Sequence, residues 1–186
     1  MTDLMPRFLI LALICFLAAC NPDKQKSVSG SEMSFATRDD TELFFKNVRQ
    51  IFYEREVMQA AKLEIYRMKG RSQSAEYPLL DVAIVINWRE DEAYINLQPQ
   101  AFLENEDPLY LFVGDSLNLQ THSLNYRSKE DYRAFAQAVY QAILDNKAMR
   151  VKVQNDTLPY LDKEEDREVF RKTLVDYYRL VGAFDE

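Results

Sequence analysis

The apolar positions of this chain form one unbroken block, then a gap, then alternating and helical stripes. Residues 8–17 (FLILALICFL) are apolar without interruption, about half the length a helix needs to cross hydrocarbon. Residues 21–34 (NPDKQKSVSGSEMS) carry no apolar period and read as a flexible tether. Beyond it, residues 79–88 (LLDVAIVINW) are apolar on both faces, which predicts a central, buried strand. The charged turn Arg89-Glu90-Asp91-Glu92 follows, and residues 93–97 return as an antiparallel partner stopped by Pro99. Residues 63–68 and 109–113 predict further strands, and Gly114-Asp115 suits a two-residue hairpin turn with residues 117–121 pairing back. Residues 149–153 (MRVKV) alternate like an edge strand.

Two helices are marked at both ends. Ser128-Lys129-Glu130-Asp131 resembles an N-terminal cap; Tyr132, Phe135, Ala136, Val139 and Ile143 recur at helical spacing as far as Asp145-Asn146. Asp162-Lys163-Glu164-Glu165 repeats the signal before Phe170, Leu174, Tyr177 and Val181, and Gly182 is the stop. Residues 41–53 (TELFFKNVRQIFY) fit two patterns. Leu43, Phe44, Val48, Ile51 and Phe52 make a helical face, but the β-branched and aromatic content leans towards a strand. The sum is an α+β fold: an antiparallel or mixed sheet of about five to seven strands, with two amphipathic helices from the C-terminal half packed on one face.

The first apolar block ends in Leu17-Ala18-Ala19-Cys20. A short apolar run closed by small residues has the form of a secretory signal. This ending resembles the lipobox of bacterial lipoproteins. The resemblance covers the first twenty residues and implies a diacylglyceryl thioether on Cys20, cleavage just before it and acylation of the new amino group. The expected organisation is a signal peptide at 1–19, a lipidated Cys20 with its tether to residue 34, and a single globular domain at 35–186. The resemblance places the chain in the bacterial cell envelope, anchored to membrane through lipid, with palmitate among the expected acyl groups. Asn21 after the Cys favours the outer membrane over the inner.

Composition narrows the chemistry. Of the two cysteines, Cys15 leaves with the signal and Cys20 is acylated, so the domain carries neither thiol nor disulfide and rests on its core alone. The net charge of −7, without a basic patch, gives no reason to expect nucleic acid as a partner. His122 is the only histidine, at a strand end and far from any GxSxG elbow, so it reads as a surface or hairpin-end residue. The four glycines form no nucleotide-binding loop. The clusters Glu90-Asp91-Glu92 and Glu104-Asn105-Glu106-Asp107 miss the EF-hand spacing and read as solvated loops. No catalytic residue, metal ligand or cofactor is therefore assigned.

The remaining signal is aromatic: Trp88 at the end of the central strand, Arg89 beside it and Tyr94 across the hairpin could line a ligand groove. In the central strand, Ala83 and Val85 point away from the helices. Residues 41–53 or 99–108 must cover that face, or it is left open for a partner. The reading is a monomeric, non-catalytic binding or scaffolding module with a possible protein partner in the envelope. An accessory or inhibitor subunit of an envelope complex is the alternative, with a carboxylate-based hydrolase behind it.

Overall fold

The computed structural model describes residues 33–73, 77–100, 103–115 and 117–184. Cys20, the apolar run before it and nearly all of the tether lie outside them. The α+β class is as expected, but the described residues form eight strands in two antiparallel sheets of four, not one sheet of five to seven. In the first sheet, β1 (Tyr53–Met58), β2 (Leu63–Met68), β3 (Leu80–Asn87) and β4 (Glu92–Pro99) run as a simple meander. In the second, β5 (Leu109–Val113), β6 (Gln120–Leu124), β7 (Met149–Val153) and β8 (Asp156–Pro159) lie in the order β6-β5-β7-β8. Between the sheets Leu103 is buried in the core, so the chain leaves β4 through an anchored turn and β5 starts a new ladder.

The helices are α1 (Asp39–Phe44), α2 (Lys129–Leu144) and α3 (Glu164–Leu180). α3 packs on β3 and β4, whereas α2 packs on β4 and β6 and so bridges the sheets. One apolar core runs through both. Ser128 caps α2 as expected, its Oγ accepting from the Asp131 amide at 3.2 Å. At α3 the cap position falls on Lys163 rather than Asp162, with no capping side chain. Glu164, Glu165 and Asp166 in the first turn supply the negative charge that a helix N-terminus favours. Gly182, at φ +68°, ends α3 in the left-handed conformation that glycine adopts without penalty.

Three expected boundaries shift. Residues 149–153 are not an edge strand: β7 lies between β5 and β8, with Met149, Val151 and Val153 in the core. The hairpin after Gly114 is longer than two residues, because Val113 pairs with Gln120 and β6 begins there. Residues 39–52 are helical, so the strand preferred for 41–53 is absent.

β3 is buried on both faces, as its composition requires. Leu80, Val82, Ile84 and Ile86 face the helices. Ala83 and Val85 point the other way, between Arg67 and Asn96 and between Ile65 and Tyr94. Longer neighbours on the same face thus enclose the two short side chains. That face also carries a string of ion pairs, Glu56–Arg67–Asp81–Arg71–Glu54, at 2.9, 3.0, 3.1 and 2.6 Å. Phe45 and Leu103, from the two segments considered as covers, both join the core.

Candidate functional site: an inverted N-terminal helix

The chain enters the fold at the β3–β4 turn. Ala36 bridges to Glu92, the Thr37 amide donates to the Asp91 carbonyl at 2.7 Å, and the Ala93 amide donates to the Phe35 carbonyl at 2.8 Å. The Phe35 ring lies under Lys129 and Arg133 of α2, 4.5 and 4.3 Å from its centroid. From this anchor the chain turns into α1, continues through a π-helical turn at Phe45–Arg49 and closes in a 3-10 turn at Gln50–Phe52. Local chemistry favours the helix. Asp39, Asp40 and Glu42 fill its first turn, and the Thr41 hydroxyl donates to the Leu180 carbonyl at 2.7 Å, tying the helix start to the end of α3.

The polarity of this helical run is inverted. Its inward positions are mostly charged. Glu42 bonds Lys46 at 2.5 Å, and Lys46 lies 3.9 Å from Glu64 of β2. Glu64 is buried, and accepts from the Tyr66 hydroxyl at 2.5 Å and from Arg55 Nη2 at 2.6 Å. Arg49 grips Asp176 of α3 through two bonds of 2.8 and 3.0 Å, and the Tyr53 hydroxyl donates to the same carboxylate at 2.7 Å. One apolar side chain, Phe45, is buried in this packing, edge-on to Tyr66 at 5.0 Å and tilted against Tyr53 at 5.5 Å. The large apolar side chains of the run point out: Leu43 is 61% exposed, Phe44 45%, Val48 46%, Ile51 64% and Phe52 46%. On the neighbouring edge strand, Val57 and Met58 are exposed as well.

Soluble helices normally turn such a stripe inwards, and clustered exposed apolar side chains usually mark an interaction surface. The π-helical turn in the same run is a feature often found at functional sites. Where the run meets α3, Arg49, Ile51, Phe52, Met68, Lys69, Glu165, Glu168, Val169 and Lys172 line an open groove of about 510 Å³. Its lining combines apolar side chains with charges of both signs.

The buried carboxylates are committed to partners. Burial alone would raise the Glu64 pKa, but the bonds from Tyr66 and Arg55 outweigh it, and the group sits below its ordinary value. At Asp81 burial wins over Arg71 and Arg67, and the pKa is raised. A lowered native pKa means that Glu64 stabilises the fold above the ordinary carboxylate range and loses that contribution as pH falls through the native value. Glu64→Gln is therefore expected to be less stable than the natural chain at neutral pH, with the gap closing in acid. Denaturant midpoints followed from pH 7 downwards, to about one unit below the ordinary carboxylate pKa, check this; a gap independent of pH contradicts it.

The residues singled out in the sequence lie at and beside the β3–β4 hairpin. Trp88 is exposed in the β3–β4 turn, with Lys62 Nζ 4.5 Å over its ring. Arg89 is exposed and contacts Glu90 at 3.6 Å. Tyr94 is half-buried on β4, opposite Val85, on the face away from the helices. His122 sits on β6 opposite Leu111, and burial lowers its pKa. Of the acidic loops, Glu92 bonds Lys129 at 2.7 Å and Glu106 accepts from the Gln154 amide at 2.9 Å. Among the described residues, no helix is long and apolar enough to cross a membrane. Compared with protein-family models, with curated proteins and with solved structures, the chain matches none.

The helical spacing of this face is present in the sequence, but the β-branched and aromatic content of residues 41–53 favoured a strand over it. Glu42, Lys46 and Arg49 fall at i, i+4 and i+7 beside Phe45, while Leu43, Phe44, Val48 and Ile51 fall on the opposite side.

Proposed function

We propose that the chain is a membrane-anchored lipoprotein of the bacterial envelope, held through Cys20, and that its domain is a non-catalytic docking module. The observation that carries the docking role is the inverted helix, with apolar side chains outward and charges satisfied inward. The anchor rests on the lipobox resemblance. The groove beside Phe52 and Met68 extends the docking face towards α3. The arginine and tyrosine partners of Glu64, Asp81 and Asp176 favour this reading over a hydrolase, because those carboxylates are engaged in holding elements together.

The test is photo-crosslinking in the native envelope. A photoreactive residue in place of Val48 is expected to give adducts that the same residue in place of Lys152, exposed on β7, does not. Leu43→Ser and Ile51→Ser are expected to change stability by only about 0.5 kcal/mol each, as solvent-facing substitutions do, while removing the adducts. In parallel, Cys20→Ala is expected to abolish labelling by an alkyne-palmitate analogue. Equal adduct yields at the two positions, or unfolding of the serine variants, would sink the docking role. Continued labelling of the Cys20→Ala protein would sink the anchor.

A further inference from the structure

We infer that the occupant of the inverted helix face is the lipid surface itself: the run from α1 to Phe52 lies flat in the headgroup region of the membrane that holds Cys20. This rests on the anchor reading above and adds an orientation to it. Four observations bear on the choice of occupant. The first is chain length. Twelve residues separate Cys20 from Met33, a reach of at most about 45 Å when fully extended, close to the diameter of a domain this size. The second is where that segment arrives. Residues 35–37 are pinned at Glu92 and Asp91, and α1 starts immediately after, at Asp39, so the run is the first element the anchor delivers.

The third is the outward surface. Asp39 and Asp40 are exposed at its start, Asp40 paired with Arg38 at 3.2 Å; from there on Leu43, Phe44, Asn47, Val48, Ile51 and Phe52 include no charge, while Glu42, Lys46 and Arg49 are turned inward and paired. A helix lying in the headgroup boundary needs an apolar face of this kind. The fourth is net charge. A chain at −7 has no general attraction for anionic headgroups, so adsorption would come from the apolar face. Tethering makes weak adsorption sufficient, because a short linker holds the face at a high effective concentration beside the bilayer.

The mature chain would have no cysteine besides Cys20, whose sulfur is a thioether, so one introduced cysteine can carry an environment-sensitive fluorophore. The lipidated protein with Val48→Cys, and a second with Lys152→Cys, would be purified and inserted into vesicles of phosphatidylethanolamine and phosphatidylglycerol. The expected result is a blue shift at position 48 and loss of its emission when brominated lipid is included, with neither change at 152. If the acyl label is present on Cys20 and position 48 stays as water-exposed as 152, the inference is overturned and the anchor survives. If the acyl label is absent, the anchor reading fails and the inference with it. A blue shift that grows with protein concentration and needs no vesicles would assign the face to a second copy of the chain, and would also overturn the inference.

Discussion

Phe170→Ala is expected to destabilise the domain by about 3–5 kcal/mol, the range for truncating a buried phenylalanine. Phe170 is fully buried on α3, which packs against β3 and β4. It borders a small cleft of about 20 Å³ with Leu79, Leu80, Val82 and Leu161. The measurement is a urea titration, in which the midpoint falls while the slope is unchanged, because the same surface is exposed on unfolding. By calorimetry the melting temperature would drop by on the order of 10 °C for a domain of this size. A loss below about 1 kcal/mol would mean that α3 is not clamped on the first sheet as described. Leu43→Ala is the useful contrast: the side chain is equally apolar but exposed, and its loss is expected to change stability by no more than about 0.5 kcal/mol.

That contrast also shows what was legible in the sequence. The strands β3 to β5 and the helices α2 and α3 could be read because their buried positions are the apolar ones. Leu80, Val82, Ile84 and Ile86 alternate, and Phe170, Leu174 and Tyr177 recur on one helix face, all in the core. The expectation failed where apolar and buried part company. In residues 39–52 the helical period is present, but it marks the solvent side. Nothing within the segment decides which stripe turns inward. The decision is made by partners distant in sequence, namely Glu64 for Lys46 and Asp176 for Arg49. The division into two sheets was hidden for a similar reason. Residues 100–108 read as a loop able to cover a face, and that the burial of Leu103 ends the first meander is a tertiary fact. β1 was missed because YEREVM is charged and exposed along nearly its whole length. Those charges suit an edge strand, where Glu54, Arg55 and Glu56 discourage pairing with another chain. Aromatic content here serves mainly the core: Tyr66, Tyr140, Tyr160, Tyr177 and Tyr178 are all buried.

The second large effect is expected at the clamp that sets the helix the way it faces. Asp176 is almost fully buried and receives Arg49 through two bonds and Tyr53 through a third, so one carboxylate joins the N-terminal run, β1 and α3. Arg49→Met removes the cation and leaves that carboxylate in the interior with Tyr53 and the more distant Arg179, 3.9 Å away. Breaking a buried pair from one side costs about 3–5 kcal/mol, because the remaining charge has lost its solvent without keeping its partner. Asp176→Leu takes the carboxylate away from Arg49 instead. Arg49 is 24% exposed and its guanidinium stacks on Phe52 at 4.7 Å, so water and the ring compensate it in part, and the loss should be the smaller of the two. The double variant Arg49→Met with Asp176→Leu places two apolar side chains in contact and should be more stable than Arg49→Met alone. The coupling read from this cycle is the test. Additive losses would mean that the two residues do not act as a pair. The single variants carry a further expectation that a merely global loss of stability would not produce. Protease cleavage should appear first within residues 39–52 while α2 and α3 stay protected, because Arg49 is the deepest ionic link between that run and the rest of the fold.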